Sequence, residues 1–362
     1  MRRLPIYFLI DVSESMVGQP IEQVQDGMRT IIQDLRVNPY ALETVFVSII
    51  GFAGKAHRIT ELTELYKFYP PKFPIGGGTS LASALNLLMD DMDRSLVRTT
   101  ATTKGDWKPI VFLFTDGNPT DGYQDAFRRW NERYRNRCNL VAISLGDNVN
   151  MLILGQLTGN ILRLKETDRE SYAQFFKWVS ASISAGSQSV AATGDDDFKL
   201  PSTGGINLEK VELPEHPEEI DECWKADDNF VVLHGRCSNT GSDYLVKFGN
   251  TDEADIFGES HGDRLPGRRR KGMYSLIGSY PIDGAEYARY SAGKGVSVYT
   301  SRLMGFPSCP CCGNLYGVVL CECGNIFCIN DDGHGTCPWC KTRVSLNTEG
   351  GGGGFDITRG LG

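Results

Sequence analysis

The sequence predicts an α/β fold, with a doubly wound, mostly parallel sheet, followed by a small β-rich module and a zinc ribbon. Three observations lead there. From residue 4 to about 185, short continuous apolar runs alternate with amphipathic segments, the pattern of a mostly parallel sheet covered by helices. Between about 230 and 299, short strand-like runs are separated by turn residues. Eight of the 11 cysteines crowd between Cys309 and Cys340.

The first region reads strand by strand. Leu4 to Ile10, Thr44 to Phe52, Ile110 to Thr115, Leu140 to Leu145 and Ile161 to Leu164 are short, apolar and rich in β-branched or aromatic residues. Ile21, Val24, Met28, Ile31 and Leu35 recur at three and four residues, as do Leu81, Leu85, Leu88 and Met92. Each set makes one apolar stripe to lay on the sheet. A last helix from about Arg169 to Ser184 is expected to bury Phe175, Phe176 and Val179 and to close a domain over residues 1–185.

From residue 186 to 213 the composition shifts to Ser, Gly, Asp and Pro, which reads as a flexible linker. Residues 214–305 then hold Phe230 to Leu233, Tyr244 to Phe248, Met273 to Ile277 and Val296 to Tyr299, the strands of the β-rich module. The cysteine-rich module spans 306–346, and 347–362 is a Gly-rich tether with a terminal peptide. Phe355 and Ile357 on that arm have no core of their own. The peptide reads as a disordered tail, with docking to a partner as the alternative.

A net charge of −8 and a pI near 5.3 argue against nucleic acid and anionic membrane as partners, because the summed field repels both. The start of the chain imitates a secretory signal, but Asp11 breaks the apolar run and no small-residue cleavage site follows. No apolar stretch is long enough to span a bilayer, so the expectation is a cytoplasmic protein. In that setting closely paired cysteines read as zinc ligands, since a secreted disulfide framework would spread its cysteines across the fold.

Two sets of residues carry chemistry. Asp11-Val12-Ser13-Glu14-Ser15 follows a buried strand directly, at the strand end where open α/β sheets place ligands. Alternate residues leaving that strand can present one carboxylate and two hydroxyls to a common point, an all-oxygen environment suited to Mg²⁺, with Mn²⁺ or Ca²⁺ as substitutes. A second strand end delivers Asp116, and Gly76-Gly77-Gly78 places Thr79 at a helix start, with glycines that let the loop approach an ion. In the second set, Cys309 and Cys312 with Cys337 and Cys340 form two Cys-x-x-Cys turns, read as one closed structural Zn²⁺ site. Cys321, Cys323, Cys328 and His334 are candidates for a second.

Over residues 4 to about 185 the first set resembles the von Willebrand factor A family, with all five elements of its metal-ion-dependent adhesion site in order. The resemblance implies that Asp11, Ser13 and Ser15 form the first loop, Thr79 the second and Asp116 the third. It also implies that a partner's carboxylate fills an open position on the ion. An amino-terminal domain of this kind with a carboxyl-terminal cysteine-rich module is similar to the TerY-type proteins of bacterial tellurite-resistance and stress-response systems. That likeness implies a non-catalytic adaptor beside a protein kinase and a PP2C-type phosphatase.

No Walker loop, kinase signature, Cys/His pair or Ser/His/Asp set stands at informative spacing, which argues against an enzyme. The rival readings are a Mg²⁺-dependent phosphohydrolase, since an oxygen-lined site also suits phosphate chemistry, and an accessory subunit of a chelatase-like ATPase. Arg268-Arg269-Arg270-Lys271 reads as a solvated loop, or as a dock for an acidic or phosphorylated surface. His57, His216, His234 and His261 lack ligand-spaced neighbours and read as ordinary polar residues.

Overall fold

The computed structural model describes residues 2–146, 149–165, 168–192, 200–203, 207–212, 226–251, 272–346 and 354–362. The basic run at 268–271 and most of the Gly-rich tether lie outside them. In the amino-terminal domain the strands are β1 (Leu4–Asp11), β2 (Val45–Phe52), β3 (Ala56–Glu64), β4 (Ile110–Thr115), β5 (Asn139–Leu145), β6 (Ile161–Leu164) and β7 (Leu208–Lys210). They form one sheet in the order β3-β2-β1-β4-β5-β6-β7. The middle five are parallel, as expected, and the two edges, β3 and β7, are antiparallel.

Both faces of the sheet are covered because β1 buries every residue. Ile6, Phe8 and Ile10 face α1 (Gln19–Arg36) and α6 (Arg169–Ala192), within a cluster that includes Val24, Met28, Ile31, Phe175 and Phe176. Tyr7 and Leu9 face the opposite layer of α3 (Leu81–Ser95) and α4 (Gln124–Arg133), with Leu85, Leu88, Phe127 and Trp130. Two short helices, α2 (Pro39–Thr44) and α5 (Met151–Gly155), complete this domain. The apolar stripes named from the sequence are therefore core. Helix α1 carries Gly27 against α6, where a Cβ would overlap the Phe176 ring, so the two helices pack closer than any other residue allows.

The chain runs from β1 to β2 on one side of the sheet and later returns to β4 on the other. The carboxyl ends of β1 and β4 thus flank a topological switch point, where doubly wound sheets open a crevice. Asp11 closes β1, and Asp116 immediately follows β4.

Within the stretch expected to be a linker over 186–213, two described parts belong to the amino-terminal domain. Helix α6 continues to Ala192, and β7 pairs with β6 with Leu208 buried in the core. A short polar segment such as β7 need not build a core of its own when it pairs with the edge of an existing sheet.

The β-rich module and the cysteine-rich segment, expected as separate units over 214–305 and 306–346, share one sheet. Strands β8 (Phe230–Arg236), β9 (Asp243–Asn250), β10 (Tyr274–Pro281) and β12 (Leu303–Met304) join β13 (Tyr316–Leu320) and β14 (Ile326–Ile329) in the order β12-β10-β9-β8-β14-β13. Helix α7 (Gly284–Tyr290) follows β10. A hairpin of β15 (His334–Thr336) and β16 (Arg343–Ser345) carries the last cysteines.

The terminal peptide is not a disordered tail. Strand β17 (Asp356–Arg359) pairs antiparallel with β11 (Val296–Tyr299), and Ile357 is 2% exposed in the core of the second domain. Among the described residues, no helix is long and apolar enough to cross a membrane.

Candidate metal centres

The five oxygen-bearing residues named from the sequence meet in one buried place. Asp11, Ser13 and Ser15 are fully buried, and Thr79 and Asp116 are nearly so. The first loop is locked by a bond from the Ser13 amide to Asp11 Oδ1 at 2.9 Å, and the Ser13 and Ser15 hydroxyls lie 2.9 Å apart. Ser15 Oγ donates to Asp116 Oδ1 at 2.8 Å, tying the first loop to the third. Behind them Thr115 Oγ1 donates to Asp11 Oδ2 at 2.7 Å, which sets the rotamer of that carboxylate. The second loop comes in through Thr79, whose amide donates to Thr120 Oγ1 at 2.8 Å. The Thr79 hydroxyl stands 3.8 Å from where a Cβ on Gly117 would be. The Gly76 amide donates to the Val12 carbonyl at 2.8 Å, so the glycine loop is stitched to the first one.

Burial decides the electrostatics. Loss of water pushes Asp11 up to about 6 and Asp116 up to about 7, the latter helped by the nearby Asp11 charge. Glu14, between the two serines in sequence, is likewise pushed up to about 7 by burial. Two buried carboxylates and three hydroxyls form a hard oxygen donor set short of positive charge, which suits a divalent cation. Lys247 of β9 stands near Asp116 and donates from Nζ to the Ser15 carbonyl oxygen.

The glycines of the second loop serve a purpose the sequence reading missed. A Cβ on Gly76 would overlap Tyr290 Cβ, and one on Gly54 would overlap the Ala292 amide. Bare backbone at Gly76, and at Gly54 just after β2, admits the end of α7 and the residues that follow it, a packing role beside the approach to an ion expected of Gly76-Gly77-Gly78. The contact continues with Gly77 N–H donating to Ser291 Oγ at 2.8 Å, Lys55 N–H to the Tyr290 carbonyl at 2.8 Å, and Tyr287 Oη to Glu14 Oε1. Apolar Val17, Val232 and Leu245 close the seam. The second domain therefore sits directly on the oxygen site, which nothing in either segment's own pattern announced.

The cysteines fall into two tetrads, and their grouping differs from the expected one. Cys237, Cys309, Cys312 and Cys328 have sulfurs within 4.8 Å of one another, as do Cys321, Cys323, Cys337 and Cys340. Cys309 and Cys312 are thus not brought together with Cys337 and Cys340. Cys328 belongs to the first set, and His334 to neither, its Nδ1 lying 2.9 Å from Ser345 Oγ. Cys311 stands outside both sets despite its place between two ligand-spaced neighbours.

The physical reason is a shared turn. In the chain after Cys237, Cys309 and Cys337, the amide four residues on bonds back to the cysteine carbonyl at 2.9 to 3.0 Å, and that residue is left-handed: Gly241, Gly313 and Lys341. Cys321 makes the tighter form with Gly324. Four such knuckles give two pairs: β14 beside the end of β8 brings Cys328 next to Cys237, and the knuckle at Cys309 completes that set. The spacing Cys237 to Gly241, equal to Cys309 to Gly313, was the available signal for Cys237. Four sulfurs without a carboxylate suit a closed tetrahedral Zn²⁺ site.

Comparison with known proteins finds two family domains in the chain. A model of the von Willebrand factor type A domain matches residues 6–174, and a model of the TerY-C metal binding domain matches residues 227–362. The chain is a von Willebrand factor A domain protein with a carboxyl-terminal metal-binding domain. That combination is of the TerY type, and the metal-binding model runs through the terminal peptide.

Among curated relatives, the chain is 24% identical over 270 residues to inter alpha-trypsin inhibitor heavy chain 4 of Mus musculus, covering 71% of this chain and 26% of that protein. It is 25% identical over 159 residues to inter-alpha-trypsin inhibitor heavy chain H6 of Homo sapiens, covering 42% and 12%. The chain thus spans about a quarter or less of these relatives. Among solved structures, proximal thread matrix protein 1 from the mussel byssus, with a zinc-occupied MIDAS motif, is similar at a TM-score of 0.36 and 15% identity, covering 51% of this chain and 46% of that one. A von Willebrand factor type A structure from Catenulispora acidiphila gives 0.38 and 13%, covering 51% and 43%.

Proposed function

We propose that this protein is a non-catalytic adaptor that binds a protein partner through a divalent cation, Mg²⁺ in the cell, held by Asp11, Ser13, Ser15, Thr79 and Asp116. The observation that carries this reading is the convergence of those five oxygen donors at the switch point, with both carboxylates buried and short of countercharge. The ion, when bound, supplies a coordination position for an oxygen of the partner. The residues of this chain hold its donor set rigid: Thr115 orients Asp11, and Ser15 bridges to Asp116. Two closed zinc sites, Cys237/Cys309/Cys312/Cys328 and Cys321/Cys323/Cys337/Cys340, stabilise the second domain and leave no position for water.

The organisation of the chain supports a cytoplasmic place beside a protein kinase and a PP2C-type phosphatase, whose phosphorylation circuit it would bridge. The test is affinity capture from the native lysate with wild-type protein and Asp11→Ala, each in Mg²⁺ and in chelator. Loss of a kinase and a phosphatase in both the variant and the chelator is the expected result. Recovery of the same proteins in every condition would overturn the reading. So would Mg²⁺-dependent phosphoester turnover by purified protein that disappears in Asp116→Ala.

A further inference from the structure

The terminal segment does more than fill a groove in the second domain. β17 is anchored along β11, with Ile357 in the core and Phe355 bonded in both directions to Thr300 at 2.9 Å. From there the chain leaves the sheet and runs toward the oxygen site. Arg359 Nη1 donates to the Phe230 carbonyl at 2.9 Å, and the Gly360 amide to the Val232 carbonyl at 2.8 Å. The Leu361 carbonyl accepts from the Asp227 amide at 2.8 Å, and the Gly362 amide donates to Glu14 Oε2 at 3.3 Å.

At its tip the segment touches the donor set itself. A Cβ on Gly362 would lie 2.8 Å from Thr79 Oγ1 and 3.2 Å from Ser13 Cβ, and Gly362 is buried. A Cβ on Gly360 would overlap the Glu14 carboxylate. Only a backbone without side chains at both positions can enter.

We propose that Gly360-Leu361-Gly362 is the cis occupant of the partner position over the metal, with a backbone oxygen of Gly362 standing where a partner's oxygen would bind. This rests on the metal-dependent reading above and adds what that site recognises: a peptide with glycines two residues apart, delivered by a strand. A partner must then displace the segment or carry the same features. A hard backbone oxygen is an ordinary ligand for such a cation. An intramolecular ligand held by an ordered strand competes at high effective concentration.

The experiment uses the full chain. A fluorescent peptide of residues 355–362 is titrated against wild type, Gly360→Val and Ile357→Asp, in Mg²⁺ and in chelator, and calorimetry reports Mg²⁺ binding to each protein. Ile357→Asp removes an anchor remote from the oxygen site, so it releases the segment without altering the donor set. Wild type, already filled, is expected not to bind the peptide. At least one released variant binds it in Mg²⁺ and at least tenfold more weakly in chelator. Hydrogen exchange at Gly360 and Gly362 is expected to speed up at least tenfold in both variants. If the variants take up Mg²⁺ but bind no peptide, or bind it equally in chelator, the cis-occupant proposal falls and the metal-site reading stands. If no form takes up Mg²⁺, both fall.

Discussion

Lys247 and Ser15 join the two domains at the oxygen site: the lysine is 4% exposed and its Nζ donates to the Ser15 carbonyl oxygen. Burial lowers the affinity of that lysine for its proton, and the nearby Asp116 charge works against the drop. The lysine therefore supplies part of the positive charge that two buried carboxylates lack. Lys247→Met is expected to cost about 1.5–3 kcal/mol in chelator, the range of a hydrogen bond from a charged group. The cost should be smaller in saturating Mg²⁺. Because the ion no longer faces a neighbouring cation, Mg²⁺ affinity should rise several-fold. Urea unfolding in both conditions and calorimetric titration check the two halves; a lower Mg²⁺ affinity would contradict this role.

The pH dependence follows from Asp11 and Asp116. Both sit above their ordinary 3.8, at about 6 and about 7. Below the ordinary value they are protonated whether folded or unfolded, so the stability tied to them is fully present there. As pH rises from about 4 to about 7 the unfolded chain ionises first, and metal-free protein loses stability. Glu14, at about 7 against 4.5, adds in the same direction. An ion that holds the charged forms removes this loss. The rise in Tm on adding Mg²⁺ should thus be small near pH 5 and grow through pH 7.5, as thermal unfolding with and without chelator would show. A constant increment would mean that these carboxylates do not bind the ion.

The two tetrads make a sharper claim than zinc content alone. Metal analysis should find two zinc ions per chain, matching the two sulfur clusters. Cys237→Ser should lose one of them, as should Cys340→Ser, while Cys311→Ser keeps both. If Cys237→Ser retains both ions, the grouping drawn from the fold is wrong. Loss at Cys237 should also be the more damaging, because its tetrad ties β8 to β14 and to the Cys309 knuckle in the main sheet. Removing structural zinc from a small domain removes folding free energy directly.

Much of the oxygen site was legible because its signal is local. Asp11, Ser13 and Ser15 leave one strand at alternating positions, and Asp116 follows another strand directly, so period and strand ends sufficed. The sheet was legible for the same reason: β1, β2, β4, β5 and β6 are continuous apolar runs buried on both faces. What escaped was set by partners far along the chain. β3 is only half-buried and β7 is three residues long, so neither has a pattern of its own. Cys237 lies 72 residues before its partner Cys309, as their numbers show, and only the knuckle turn links them. Ile357 looked unsupported because its core is built by residues such as Val231, Val246 and Val298.

Gly76 separates two explanations of the glycine loop. If the loop is bare so that it can approach an ion, Gly76→Ala should weaken Mg²⁺ binding and leave the two domains joined. The packing says otherwise: the added Cβ would overlap Tyr290 Cβ and lie 3.0 Å from Ala53 Cβ. Overpacking of this kind costs about 1–3 kcal/mol, here charged to the seam between the domains. The variant should therefore bind Mg²⁺ within about twofold of wild type, a difference of about 0.4 kcal/mol. The Lys55 amide, bonded to the Tyr290 carbonyl, should exchange at least tenfold faster. Its exchange rate and a Mg²⁺ titration on the same sample decide the matter, since each explanation moves one reading and spares the other.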